Sequence, residues 1–140
     1  MNYTVKPNLN NLENALSALK RAVDVYERSK EEDKEVIAMA VIQGFEVAME
    51  MSWKAMRKTL FWLGSLNVSS HETKSELFRM AMENAIIDDA GKWLEYYRNR
   101  NMTSHNYGFE VADTALEYAF RAMEDFEKLV KNLQRILNDQ

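Results

Sequence analysis

The sequence has no cysteine, one proline and four glycines in 140 residues. Without cysteine, neither a disulfide framework nor a thiolate metal site can form. A β-sandwich or barrel needs many turns, and turns depend on glycine and proline, so their scarcity favours a few long elements. Only two histidines occur, His71 and His105, which excludes a histidine-rich metal cluster. Nothing in the sequence indicates a metal or a cofactor.

The chain also lacks a strong excess of positive charge. Its formal charge is −4 and its pI about 5.3, and no dense lysine and arginine run occurs. Non-specific binding to duplexes is therefore not expected, although a local basic site for one phosphate is allowed. No apolar run reaches membrane-spanning length and the first residues resemble no signal peptide, so we expect a cytoplasmic protein without membrane contact. The length predicts a single domain over residues 1–140.

Apolar residues recur at spacings of three and four along most of the chain, which is typical of helices packed in a bundle. Long stripes of this kind run over residues 9–26, 33–63 and 111–137, and two shorter helices are predicted before the last stripe. Trp53 and Trp93 are expected in the core rather than as ligand platforms. The sequence therefore predicts an all-α domain, an up-and-down antiparallel helical bundle of four to five helices.

Several single residues predict details of these helices. The second helix is apolar on more than one face, which predicts a central position in the bundle or a dimer interface. Gly44 inside it costs roughly 1 kcal/mol relative to alanine, which favours close approach of another helix at that level. Gly64 is placed to end it. Ser69 and Glu72 form a Ser-x-x-Glu capping box that predicts the start of the third helix, and one of residues 88–89 is expected to cap the fourth.

One segment differs from the rest of the chain. Residues 98–107 read RNRNMTSHNY and contain two guanidiniums, three amides, two hydroxyls, an imidazole and a phenol. The helical pattern weakens there, which predicts a junction between two helices, a common location for sites. An arginine and a histidine held together could stabilise and protonate a phosphodiester transition state without a metal. The alternative is structural: asparagine and serine cap a helix, while Arg100 bonds a nearby carboxylate.

Two acidic residues are candidates to support that segment. Glu46 and Glu50 lie four residues apart on the second predicted helix. In one interpretation they orient Arg100 or His105 in a cleft. In the other, Glu50 and Lys54 form an exposed helix pair worth a few tenths of a kcal/mol. The surrounding apolar residues favour partial burial.

The segment also resembles a known family. Arg100-x-x-x-x-His105-x-Tyr107 matches the Arg-x(4–6)-His motif of HEPN domains (higher eukaryotes and prokaryotes nucleotide-binding), in the form followed by a tyrosine. More of the chain looks like the nucleotidyltransferase substrate-binding-like family of this superfamily. The matching residues are 43–46, 50 and 53–54 in the long helix, and 86–89, 93–94 and 100–107 in the second half. Together they cover most of the chain.

The resemblance implies a bundle similar to the C-terminal domain of kanamycin nucleotidyltransferase. Such proteins form homodimers, with the two motifs facing each other, and bind a minimal nucleotidyltransferase encoded beside them. Related HEPN proteins are metal-independent ribonuclease toxins, which the partner can silence by adenylylating the motif tyrosine. By position, Arg100 and His105 correspond to the catalytic pair, Asn101 to a polar helper and Tyr107 to the modification site. Arg98 fits the looser six-residue spacing, which leaves open which arginine acts.

A minimal nucleotidyltransferase needs Gly-Ser followed by an Asp-x-Asp pair. Gly64-Ser65 occurs here without an Asp-x-Asp, so the chain is not expected to transfer nucleotides by itself. We expect instead a HEPN-type partner and substrate-binding subunit of a two-component, toxin–antitoxin-like module, which binds the nucleotidyltransferase and a nucleotide or RNA. The alternatives are a metal-independent HEPN endoribonuclease regulated at Tyr107, and a purely structural dimeric bundle.

Overall fold

The structure is a computed structural model that describes residues 5–67, 71–105 and 109–138, without the side chains of residues 101–105 and 109–112. In this part of the chain there are five helices and no strand. They are α1 (Asn10–Arg28), α2 (Glu31–Trp62), α3 (Lys74–Glu83), α4 (Ala90–His105) and α5 (Phe109–Asn138). The prediction of an all-α helical bundle is confirmed.

Helix α2 is the centre of the bundle, because it packs against each of the other four helices. Most of the predicted apolar stripe is buried, namely Ile42, Phe45, Met49, Met56 and Leu60, whereas Trp53 and Leu63 are half-buried. Leucines of α1 and α5 and aromatic residues of α3 and α4 complete the core around it. The prediction that the second helix is central is therefore confirmed.

Helices α1 and α2 approach closely at Gly44. A Cβ atom added at Gly44 would lie 3.1 Å from Leu19 Cδ1 and 3.4 Å from Leu19 Cα. Leu19 is fully buried, so its side chain and backbone have little room to retreat. The glycine predicted to mark a close helix approach therefore does so, and its low helix propensity is offset by the packing that it permits.

Gly64 ends α2 as predicted. Its φ of +82° lies in the left-handed region, which glycine adopts without steric cost. The Ser65 N–H donates to the Leu60 carbonyl at 2.8 Å, and the Gly64 N–H donates to the Phe61 carbonyl at 3.0 Å. This pair of hydrogen bonds is the Schellman arrangement, which satisfies the last carbonyls of a helix.

The start of α3 corrects the sequence prediction. Thr73, not Ser69, precedes the helix: Thr73 Oγ1 accepts a hydrogen bond from the Glu76 N–H at 3.1 Å, and the Glu76 carboxylate accepts one from the Thr73 N–H at 3.2 Å. Ser69 itself lies outside the described residues. Both tetrapeptides satisfy the capping-box pattern, but Glu72 is engaged by Arg57 of α2 in an ion pair. The later box therefore begins the helix.

Helix α4 extends into the segment of residues 98–107. It begins where expected, because Asp89 Oδ1 accepts a hydrogen bond from the Lys92 N–H at 3.2 Å. It continues to His105, and α5 begins at Phe109, so the segment lies where two helices meet, as predicted. This stretch contains no proline or glycine. Backbone hydrogen bonding therefore continues although the apolar stripe has ended.

Aromatic packing fixes α4 in the bundle. Trp93 is 3% exposed, and its ring centroid lies 5.8 Å from that of Tyr96, 5.6 Å from that of Phe126 and 6.3 Å from that of Phe78. The core position predicted for Trp93 is confirmed. The Tyr96 hydroxyl donates to Asp125 Oδ2 at 2.5 Å. Burial and this hydrogen bond raise the pKa of Tyr96 far above its usual range, so the phenol remains a donor at neutral pH.

Helix α2 also has the length and hydropathy of a membrane span, with a mean hydropathy of 1.3 over an 18-residue window. It contains no uninterrupted apolar run of that length, because Glu46 and Glu50 lie within the apolar stretch. The central helix of a bundle combines the same length and hydropathy, and α2 packs against each of the other four helices. Only 33% of the window is buried. The rest includes exposed apolar side chains at Val36, Met39 and Val47.

Candidate functional site

Arg100 joins α4 to α2 near the end of α4. Its Nη2 atom lies 3.6 Å from Glu50 Oε2, and both side chains are about two-thirds buried, at 28% and 31% exposure. Trp93 and Tyr96, seven and four residues earlier, are buried. Because residues three and four apart lie on one helix face, the same face of α4 directs Arg100 into the bundle.

The Glu50 carboxylate contacts three donor side chains, those of Arg100, Trp53 and Lys54. Its Oε2 atom accepts a hydrogen bond from Trp53 Nε1 at 3.3 Å, in addition to the ion pair with Arg100. Its Oε1 atom lies 3.3 Å from Lys54 Nζ. Burial raises the pKa of Glu50, but hydrogen bonds from Lys54 and Trp53 and the charges of Lys54 and Arg100 outweigh it and lower the pKa. The carboxylate therefore stays ionised at neutral pH.

Trp53 is also part of this cluster rather than of the core alone. Lys74 Nζ lies 3.9 Å from the centroid of the Trp53 ring and 5.6 Å from that of Tyr97. A cation over aromatic faces is attracted by the ring quadrupoles. The expectation that Trp53 is simply a core residue is therefore corrected: it is half-buried and lies between a carboxylate and an ammonium. The sequence did not predict a role for Lys74, because the spacing of residues within one helix does not show which residues of another helix they contact.

The other predicted site residues are distributed as follows. Arg98 is exposed on α4. Because residues two apart in a helix do not share a face, Arg98 and Arg100 lie on different faces of α4. Glu46 is half-buried one turn before Glu50 on α2. Asn101 and His105 belong to α4, but their side chains lie outside the described residues, and Tyr107 lies outside them entirely. Among the described site residues, the structure brings Arg100 and Glu50 together.

A buried amide lies between the two arginines. Asn99 is 6% exposed, and its Oδ1 atom has no hydrogen-bond partner among the described residues. A buried polar atom without a partner costs about 1–3 kcal/mol. Natural proteins contain few such groups, and Ser52 and Thr59 of α2 are two others in this bundle.

The geometry defines a small cationic site held in place by one carboxylate. The fork of Arg100 suits a phosphate, and the Glu50 ion pair restricts its position before any ligand binds. The described residues contain no group of three or more carboxylates, histidines or cysteines placed to hold a metal. An arginine with only a structural role would make the same ion pair, so this contact agrees with both interpretations of Arg100.

Comparison with known proteins assigns the class of this bundle. A family model described as nucleotidyltransferase substrate binding protein like matches residues 7–138. The chain belongs to this family. The resemblance read from residues 43–54 and 86–107 is therefore confirmed.

Two relatives from Haemophilus influenzae add detail. A protein described as probable ribonuclease HepT is 29% identical over 117 residues, which are 78% of this chain and 80% of that protein. A solved structure, described as revealing the fold of a substrate binding domain of a nucleotidyltransferase, matches with a TM-score of 0.79 and 24% identity. The match covers 91% of this chain and 99% of the other. At this identity it establishes the shared fold.

The Glu50 cluster generates a prediction about acid stability. The pKa of Glu50 is lower in the folded chain than its ordinary value of 4.5. The ionised carboxylate therefore adds to the free energy of unfolding above pH 4.5, and this addition is lost as pH falls through the folded pKa. The free energy of unfolding of Glu50→Gln should be lower than that of the unmodified protein by less than about 1 kcal/mol near neutral pH. The difference should shrink below about pH 4.5. Urea unfolding over a pH series measures it, and a difference independent of pH would contradict the assignment.

Proposed function

We propose that this protein is the partner and substrate-binding subunit of a separate minimal nucleotidyltransferase, in a two-component module of toxin–antitoxin type. The observation that carries the proposal is the family match over residues 7–138. The matching fold of a protein described as a substrate binding domain of a nucleotidyltransferase supports it. The ligand would be a nucleotide or RNA, because the arginine of the site is suited to phosphate.

This proposal is tested with the nucleotidyltransferase encoded beside the gene, identified by its Gly-Ser and Asp-x-Asp residues. The two proteins should copurify when coexpressed. On incubation with ATP and Mg²⁺, the mass of this chain should increase by one AMP, mapped to Tyr107 by peptide mass spectrometry. Tyr107→Phe is the control, since it removes only the accepting hydroxyl. Failure to copurify, with no modification of Tyr107, would contradict the proposal.

A second candidate function is metal-independent cleavage of RNA. It is favoured by the ion pair that fixes Arg100 five residues before His105, and by the similarity to a probable ribonuclease. In this proposal the Arg100 guanidinium stabilises the negative charge that develops on the phosphodiester, and His105 transfers a proton. The two functions are compatible, because adenylylation at Tyr107 would place a bulky anion two residues from His105 and block RNA binding.

The ribonuclease proposal predicts cleavage that survives chelation. Protein purified without its partner should cut RNA in the presence of EDTA. Arg100→Ala and His105→Ala should each lower the rate by a factor of about 100 or more, in the range for loss of an acid–base or charge-stabilising group. Arg79→Ala, which removes an exposed arginine on α3, is the matched control and should cleave normally. If Arg98→Ala abolishes cleavage while Arg100→Ala does not, the assignment of the arginine is wrong. Absence of cleavage across varied RNAs would exclude the activity.

We further propose that the protein is a homodimer. The exposed apolar side chains of α2 at Val36, Met39 and Val47 support this, because exposed apolar patches mark interaction surfaces. The mass in solution should be twice the 16.4 kDa of one chain when measured by light scattering. Met39→Glu should shift the mass toward that of one chain, whereas the similarly exposed Met82→Glu on α3 should not. A mass of 16.4 kDa for the unmodified protein at high concentration would exclude the dimer.

A further inference from the structure

The charges of α2 are divided between its two halves. Residues 31–50 contain six acidic residues and one lysine, whereas residues 51–67 contain Lys54, Arg57 and Lys58 and no acidic residue. The overall charge of −4 therefore conceals a basic region that begins one turn after Glu50. This region is continuous with the candidate site, because Lys54 and Trp53 both contact the carboxylate that holds Arg100.

Three lysines and one aromatic ring form what we call the basic strip: Lys54, Lys58 and Lys74 with the ring of Trp53. Lys54 and Lys58 are exposed and lie four residues apart, roughly 6 Å along the helix axis. Lys74 joins them from α3, held 3.9 Å from the Trp53 ring centroid. Among the described residues, Lys58 and Lys74 have no carboxylate partner within ion-pair distance, so internal ion pairs do not neutralise them.

We propose that the basic strip is a binding track for the backbone and bases of single-stranded RNA leading to Arg100. The inference rests on the proposed RNA-binding function of the site and extends it to residues outside the Arg-His motif. Proteins that bind single strands combine cations along the backbone with aromatic rings on which bases stack. The strip has both components beside an arginine. A duplex would need a larger basic surface, which the acidic half of α2 opposes.

The geometry also gives the components different tasks. Lys74 holds its ammonium 3.9 Å from the centroid of the Trp53 ring, so a phosphate that draws the ammonium away exposes this ring face. Trp53 can offer its ring to a base when Lys74 moves to the backbone. Since the Trp53 N–H also bonds Glu50, a base stacked on this ring would be fixed relative to Arg100. The strip therefore determines which phosphate reaches the arginine.

The test measures RNA affinity rather than cleavage. The protein is prepared as His105→Ala without the nucleotidyltransferase, so that RNA is neither cut nor excluded by modification of Tyr107. Fluorescence anisotropy follows a labelled single-stranded RNA of about 12 nucleotides, a length within the usual site sizes. Salt is varied from roughly 50 to 200 mM, because the slope of log affinity against log salt counts phosphate contacts.

The double variant Lys58→Ala/Lys74→Met should weaken binding about tenfold and reduce the magnitude of the salt slope by about 1.4, which is 0.7 for each lost phosphate contact. Methionine at position 74 keeps an unbranched side chain over the rings. The matched control is Lys131→Ala/Arg135→Ala, which removes the same charge from exposed positions of α5. It should change affinity less than about twofold, because distant charges are screened.

Trp53 variants test the aromatic part. Trp53→Leu should weaken binding roughly tenfold without changing the salt slope, since stacking releases no counterion. Trp53→Phe restores a ring but not the N–H donor, so it should recover most of the affinity if the ring stacks. Loss of affinity in both variants, with an altered melting temperature, would assign Trp53 to packing and overturn its part in the track.

The outcomes separate this inference from the proposed function. If the unmodified protein binds and cuts RNA while the lysine pair behaves like its α5 control, the track is wrong and the ribonuclease stands. If RNA binds through the strip but is never cut, the track stands and the cleavage proposal fails. If the lysine pair abolishes copurification with the nucleotidyltransferase but leaves RNA affinity unchanged, the strip is a protein interface and the inference is overturned. Absence of RNA binding at low salt overturns it as well.

Discussion

The close approach of α1 and α2 at Gly44 is the constraint on which the arrangement of the bundle depends. With no side chain on α2 at this level, Leu19 of α1 packs against its backbone, and the long helix is held at the centre with its other faces toward α3, α4 and α5. Six residues later, the same helix presents Glu50 to α4. The helix that carries this carboxylate is therefore packed closely against α1 less than two turns away.

The site itself depends on a single ionised group. Glu50 accepts from Trp53, pairs with Lys54 and holds Arg100, so one carboxylate organises residues of its own helix and one residue of α4. Such an arrangement suits a site that must receive an anion. It fixes the arginine in the absence of ligand, which lowers the entropy lost on binding. The same carboxylate offsets part of the mutual repulsion between Lys54 and Arg100.

The sequence predicted those features that periodicity and special residues encode. The apolar stripes predicted the bundle, Gly44 and Gly64 predicted a close approach and a helix end, and Asp89 was among the two predicted caps. The predictions that failed were of two kinds. Some concerned a choice between two equivalent local patterns, and others concerned contacts between helices that are distant in the sequence. Two capping-box sequences follow one another before α3, and Glu72 of the first is engaged by Arg57 while the second makes the capping hydrogen bonds. The proximity of Arg100 to Glu50 was one of two expected possibilities, whereas the contact of Lys74 with Trp53 had no local signal at all.

The location of Trp53 has a consequence for how this protein can be observed. Its indole lies against Lys74 on one side and donates to the carboxylate that holds Arg100, so its excited state experiences the field of these three charged groups. Trp93, by contrast, is enclosed among aromatic rings. Trp62, the third tryptophan of the chain, is half-buried at the end of α2, so the emission of the unmodified protein combines three different environments.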